Sequence, residues 1–314
     1  DITLGGKITV PVQMLYDIVR KLPDDAEINF KQSGDQLVVS SGRAVFRLPT
    51  LPAENFPAMA GSNLTTKFQM TTGDLAHLIN QTKFAIPTDD VRYHLGGIYF
   101  HISDEGKEKM LTAVATDAQR MALCAMPAPE GSADMPAVIL PRRVIGELSK
   151  LLEDATVDDC MVELSDTKAR FTVGSATLTS KLVDAQYPNY RVVIPKGNDK
   201  IAILDRKQFV NAVDLVSVAS VDKTKSVQLT YSMNKLVVNA SSPDAGTATQ
   251  ELDIEYNSDA SFTVTFNVKF LLDVAGQVEG EKFQMEMQDP LSPTIIKSTD
   301  KNTDALFILM PMRM

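Results

Sequence analysis

Apolar residues recur along this chain at two periods, and the switching between them divides it into units. Leu15, Ile18 and Leu22 fall on one face at helical spacing, and Ile145, Leu148 and Leu152 repeat the pattern. After the first of these stretches the period drops to two. Ala44, Phe46 and Leu48 alternate with Val45 and Arg47 on the opposite side, as in a half-buried strand. Read this way, the chain holds five short helices, Val12–Leu22, Thr72–Lys83, Arg142–Glu153, Arg206–Val216 and Val268–Gln277, each leading into alternating strands.

The units repeat in two forms. In one, a strand runs into a helix and then into a pair of strands: ITVPVQMLYDIVRKL, VILPRRVIGELSKLL and FTVTFNVKFLLDVAG begin its three copies. Pro11, Pro141 and Asn267 open their helices, spaced by 130 and 126 residues. Both residue types suit that place, because a first helical turn needs no intrahelical donor and welcomes a side-chain cap. The other form begins at TTKFQMTTGDLAHLINQTKFA, leading to the strands VRYHLGGIYFHIS and MLTAVATDAQRMALCAMP, and at KIAILDRKQFVNAVDLVSVA, leading to SVQLTYSMNKLVVNASS and GTATQELDIEY, with Leu75 and Phe209 matched 134 residues apart. The forms alternate, and the series starts without a copy of the second. One unit cannot bury its own apolar face, whereas one of each form together can. An α+β fold of tandem domains follows, with edges near Gly61–Leu64 and Pro195–Lys200, where AMAGSNLTT and IPKGNDK read as linkers. The chain begins at Asp1 rather than Met and lacks that front unit, so it is expected to be a piece of a longer one.

Composition narrows the class. With 314 residues, 44% of them apolar, two or three cores can be built. No apolar run approaches the roughly 20 residues that span a bilayer, and DITLGGKITV has neither region of a signal peptide, so a soluble, cytoplasmic protein without a membrane partner is expected. Cys124 and Cys160 stand in no metal-like spacing and read as small buried hydrophobes. The net charge of −9 argues against a nucleic-acid partner until its distribution is considered. The five helices carry nine Lys or Arg (Arg20, Lys21, Lys83, Arg142, Arg143, Lys150, Arg206, Lys207 and Lys269) against six carboxylates, a balance of +3 that leaves −12 for the remainder. If the helices face one way and the sheets the other, a basic surface lies on an acidic body and attracts phosphates through counterion release. The alternative is that Lys and Arg are simply solvated at helix ends. No aromatic platform for single strands is visible on the helices, so contact would be to duplex backbone without sequence reading.

Chemistry is sparse. The three histidines, His77, His94 and His101, lie in no motif, and nucleophilic catalysis requires a base beside its nucleophile. Asp89-Asp90 in PTDDVR reads as a solvated turn rather than a metal pair, and Gly96-Gly97 has no phosphate-loop spacing. A binding protein with no cofactor and no metal is expected, not an enzyme. One feature asks for explanation: the chain ends in LFILMPMRM, apolar almost to its carboxylate, where termini are usually polar and frayed.

DDVRYHLGGIYF, AVATDAQRMALCAMP, TSKLVDAQYPNYRVVIP, TFNVKFLLDV and the terminal LMPMRM resemble, in this order, the signatures of the bacterial DNA polymerase III beta subunit family of sliding clamps, and the resemblance covers essentially the whole chain. It implies residues 1–62 as the second half of clamp domain I, 63–196 as domain II and 197–314 as domain III. It implies helices lining the inside of a ring with sheets outside, two chains head to tail around double-stranded DNA, and a processivity factor that tethers a polymerase. It also gives the tail a task, as a wall of the groove that captures short peptides of polymerase and clamp-loader subunits. Carried over, the groove comprises Leu95, Thr116, Ala118, Arg120, Met121, Pro188, Val193, Asn267, Phe270, Leu291, Pro293, Ile308, Leu309, Met310, Pro311, Met312 and Arg313. Methionines suit it because flexible thioether stems repack around different side chains. DNA-facing residues are Arg20, Lys21, Lys83, Tyr93, His94, Arg142, Arg143, Lys150, Arg206 and Lys207. The dimer edges carry Phe46 and Leu48 on one side and Val218 and Ala219 on the other. Departures from the family pattern are Gln119 for a common His, Val192 for Arg and Ala118 for Gly. The rival reading is a repeat scaffold that binds protein partners without DNA.

Overall fold

The computed structural model describes residues 2–56, 64–89, 91–104, 108–220, 225–300 and 303–313. Asp90, Gly61 and Met314, which the sequence reading invoked, lie outside them. The chain forms two compact units, residues 1–61 and 62–314.

In the first unit the strand Ile8–Thr9 pairs with Leu51–Pro52 and leads into helix α1, Val12–Lys21. Pro11 occupies the cap position in extended conformation, and Leu22 is extended in turn because Pro23 follows it. Three antiparallel strands come next, Asn29–Ser33, Gln36–Ser41 and Ala44–Pro49, joined by tight turns at Gly34 and Gly42, both in the left-handed region. Ile18 of α1 packs on Leu37, Val39 and Leu48 of this sheet, while Val12, Met14 and Tyr16 stay exposed.

Among the described residues the second unit holds four α-helices: α2, Thr72–Thr82; α3, Arg142–Glu153; α4, Arg206–Ser217; and α5, Val268–Gln277. Thr71, Asp205 and Asn267 cap α2, α4 and α5, accepting bonds from the backbone N–H groups of Asp74, Gln208 and Phe270. The helices pack in pairs, α2 on α3 and α4 on α5, over sheets that bury Leu78, Ile79, Leu148, Phe209, Val213 and Leu271. Cys124 and Cys160 lie in the same core, where burial pushes their thiols up to about 12 and about 11.

Two expectations change. Each helix is followed by three strands, not two, because several stretches read as one long strand are hairpins. Met110–Thr116 and Arg120–Pro127 pair with each other around a turn at Asp117–Gln119, and Ser226–Ser232 pairs with Lys235–Ser242 around Asn234. Also, Val91–Leu95 is not the start of a strand. Tyr93–Leu95 forms a single 3₁₀ turn, and the strand begins at Gly97. Gly97 lies so close to the neighbouring strand that a Cβ would sit 2.0 Å from the Leu140 carbonyl oxygen, which accounts for this glycine without any phosphate.

The largest sheet has nine strands in the order Val138–Pro141, Gly97–Ser103, Met110–Thr116, Arg120–Pro127, Ala305–Leu309, Thr294–Ser298, Lys282–Met287, Lys200–Asp205 and Glu255–Tyr256. Its centre joins the two halves of the unit: the last strand of the chain, Ala305–Leu309, pairs antiparallel with Arg120–Pro127.

Candidate functional site

The tail leaves that central strand at Leu309 and is held on both sides. Met310 donates its backbone N–H to the Gln119 carbonyl at 2.8 Å, and Met312 donates to Thr265 at 2.8 Å. Apolar side chains up to the last residues are thereby kept in place by backbone bonds rather than by burial in a core. On either side lies a cavity, and Met310 lines both.

The first cavity, about 210 Å³, is lined by Leu95, Thr116, Ala118, Arg120, Met121, Pro188, Asn189, Tyr190, Val193, Ile308 and Met310. Its floor is a small separate core in which Leu95, Met121, Tyr190 and Ile308 are buried. Tyr190 is fixed by His101: Nδ1 of the imidazole faces the Ile102 carbonyl at 3.0 Å and so carries the proton, leaving Nε2 to accept the Tyr190 hydroxyl at 3.0 Å. Tyr99 stacks on Tyr187 behind it, with ring centroids 4.6 Å apart. The second cavity, about 270 Å³, is lined by Gln119, Asn267, Phe270, Met310, Pro311, Met312 and Arg313, a more polar set. An apolar slot and an amide-and-guanidinium slot, joined at a flexible methionine, suit an extended segment with both kinds of side chain.

Arg120 sits between them. Only 7% exposed, its guanidinium bonds Asp117 at 3.0 Å, Asp273 of α5 at 2.5 Å and the Phe84 carbonyl at 2.9 Å, and lies 4.6 Å from the Phe270 ring centroid. A charge this dry persists only because its donors are met by anions and a carbonyl. Burial raises the Asp273 carboxyl, but bonds from Lys269 and Arg120 outweigh it and hold the group below the ordinary carboxylate value. The turn Asp117–Arg120 is fastened as well. Asp117 accepts the N–H groups of Gln119 and Arg120, and the Arg92 guanidinium bonds the Asp117 carbonyl. Ala118 at its tip has φ 70°, a conformation that favours glycine.

Of the residues the resemblance placed in the groove, fourteen line these two cavities. Leu309 does not: its side chain is fully buried in the main core beside Phe307, because strand alternation turns it away from Ile308 and Met310. Leu291 is exposed and Pro293 half-buried, and neither lines the two cavities. Among the DNA-facing candidates, Arg142, Arg143 and Lys150 are exposed on α3 and Lys207 on α4, while Arg206 and Lys83 are half-buried. Tyr93 is exposed and His94 half-buried on the turn whose next residue, Leu95, floors the first cavity. In the first unit Arg20 and Lys21 are exposed, with Arg20 3.6 Å from Asp17. Of the dimer-edge residues, Val218 is exposed and Phe46 half-buried, but Leu48 and Ala219 point into cores. A cavity of about 490 Å³ in the first unit, beside Val10, Leu51 and Phe56, has no charged lining.

Sequence reasoning missed Asn189 and Tyr190 in the first cavity and Gln119 in the second, although PNY and DAQR stand inside stretches already singled out. Asp273 and Phe84 had no visible signal, since their role rests on contacts with Arg120 over 153 and 36 residues of chain. Among the described residues no group of His, Cys, Asp or Glu could hold a metal ion, and no helix is long and apolar enough to cross a membrane.

Three family models match in succession: the N-terminal domain of the DNA polymerase III beta subunit at residues 3–60, its central domain at 69–189 and its C-terminal domain at 191–313. The beta sliding clamp of Caulobacter vibrioides is 42% identical over 99% of this chain and 84% of its own length, and that of Escherichia coli (strain K12) is 35% identical over 98% and 82%. In structure the chain is similar to the Bartonella birtlesii sliding clamp bound to griselimycin, with a TM-score of 0.93, 41% identity and coverage of 100% of this chain and 84% of the other. The succession of domains, the antiparallel sheets under paired helices and this depth of identity agree, and the chain belongs to the bacterial DNA polymerase III beta subunit family, the sliding clamps that confer processivity and catalyse no reaction.

Proposed function

We propose that the two cavities at Met310 are one groove that captures a short extended peptide from polymerase and clamp-loader subunits, and that this is how the clamp tethers a polymerase to its template. The tail carries the reading. Its Met310 and Met312 are hung by backbone bonds between two cavities of different polarity, an arrangement of no use to a plain core strand. A peptide with an amide side chain near Gln119, Asn267 and Arg313 and a Leu-Phe end over Leu95, Met121 and Ile308 meets both linings. Leu291 and Pro293 would then flank the groove. The test removes residues 310–314 from the full chain and measures fluorescence anisotropy with a labelled Gln-Leu-Ser-Leu-Phe peptide. Binding is expected to vanish with the fold intact, and unchanged affinity overturns the assignment.

The second part of the proposal is a head-to-tail dimer of chains, with domains at 1–62, 63–196 and 197–314, closing a ring in the cytoplasm around double-stranded DNA, helices inward. Helix polarity supports it. Arg142 and Arg143 open α3, and Arg206 and Lys207 open α4. Cations at the positive end of a helix dipole each cost about 0.3–1 kcal/mol where exposed, so their recurrence points to an anion that repays it, and phosphate backbone is one that needs no sequence reading. The competing scaffold without DNA draws on the net charge of −9. Salt-dependent loading on circular against linear DNA separates the two, since only a ring is retained on the circle.

A further inference from the structure

We propose that Asp273, which lines neither cavity, is the positioning residue that sets the wall between them by holding Arg120 against Phe270. The inference rests on the groove reading and adds a residue to it. Arg120 belongs to the strand Arg120–Pro127 and to the first cavity, while Phe270 belongs to α5 and to the second. Beside Met310, which lines both, the guanidinium plane joins the two linings, through its place in one and its 4.6 Å approach to the ring in the other. A guanidinium needs its in-plane donors occupied to keep one orientation. Asp117 and the Phe84 carbonyl take two directions from the Arg120 half of the unit. Asp273 alone takes the third from α5, at 2.5 Å, and its own position is secured by Lys269 at 2.6 Å.

Two consequences distinguish this from ordinary stabilisation. Without Asp273 the guanidinium stays attached to Asp117 and Phe84 but is no longer tied to α5, so the first cavity keeps its shape. The Phe270 ring, by contrast, loses the flat cation packed on it, and the second cavity loses its wall. Damage should therefore fall on the peptide residue that occupies the second cavity.

The experiment is a double-mutant cycle on the full chain, with Asp273→Ala and Asp273→Asn against two labelled peptides, Gln-Leu-Ser-Leu-Phe and Ala-Leu-Ser-Leu-Phe. In the unaltered protein, loss of the amide should weaken binding by about tenfold, as expected for a buried polar group left without its partner. In Asp273→Ala the same replacement should change affinity less than about twofold, with Asp273→Asn between the two because an amide oxygen still accepts one bond. Equal weakening of both peptides, or no weakening of either, in a variant whose circular dichroism matches the parent overturns the proposal. If Asp273→Ala fails to fold, the isosteric Asn variant decides alone. Removal of residues 310–314 serves as the control: unchanged affinity there would fault the groove itself, whereas its loss together with a flat Asp273 series faults only the positioning role.

Discussion

Met310 hangs by its backbone N–H from the carbonyl of Gln119, the residue that follows Ala118 at φ 70°. The tail of the chain is thus attached to a turn that holds an alanine in a conformation costing an L-residue about 1–2 kcal/mol. Ala118→Gly removes that cost and adds back about 0.5–1 kcal/mol of chain entropy in the unfolded state. The urea midpoint should rise by the equivalent of about 0.5–1 kcal/mol with the slope unchanged. A lowered midpoint would mean the methyl group makes contacts that outweigh the strain.

That turn also shows where sequence reading stopped. The helices were legible because cap residues and apolar period agree: Pro11, Pro141 and Asn267 stand where the spacing of apolar positions begins. The Asp117–Gln119 hairpin was not, because its left-handed position holds alanine rather than glycine, so nothing broke the run AVATDAQRMALCAMP. Tyr93–Leu95 misled for the opposite reason. Val91, Tyr93 and Leu95 alternate with Arg92 and His94 at a strand's period, yet only Leu95 is buried and the backbone is a 3₁₀ turn. The groove's walls were found through family signatures, and the bonds that fix them, Arg120 with Asp273 and Met310 with Gln119, join residues too distant in sequence for any local pattern.

Gly97 gives a prediction of opposite sign. A methyl group there would overlap the Leu140 carbonyl oxygen at 2.0 Å and crowd the Ile139 side chain at 3.2 Å, on strands locked by pairing of Gly97 with Pro141. Backbone cannot yield as a side-chain tip does. Gly97→Ala should destabilise the second unit by about 1–3 kcal/mol, as overpacking does, read as a drop in thermal midpoint. An unchanged midpoint would show that the two strands separate freely.

Charge removal on α3 tests the DNA face. Arg142 is a poor choice because its guanidinium also bonds the Pro87 carbonyl at 3.2 Å, mixing fold with binding. Arg143 and Lys150 are exposed, and Lys150 pairs with Glu147 at 3.4 Å on the same helix. Arg143→Ala with Lys150→Ala should weaken association similarly for duplexes of any sequence. The log–log salt slope should fall by up to about 1.8, at roughly 0.9 per phosphate contact. A slope that does not move places α3 away from the duplex.

Val218 and Leu48 divide the question of ring closure. Val218 follows α4 and is 74% exposed, free to meet a second chain, whereas Leu48 is 1% exposed under α1 with Ile18, Leu37 and Val39. A charge at Val218 costs nothing in the isolated chain but is stranded without a partner when a second chain covers it. Val218→Glu should therefore weaken self-association roughly tenfold or more and leave the thermal midpoint in place. Leu48→Ala acts by another route. It opens a cavity in a small core and should destabilise the first unit by about 2–5 kcal/mol, so that any loss of dimer follows its unfolding and appears only as temperature or denaturant rises. Sedimentation velocity at fixed concentration, run beside thermal melts of both variants, separates the two effects. If Val218→Glu sediments as the parent does, the surface beyond α4 is not where chains meet.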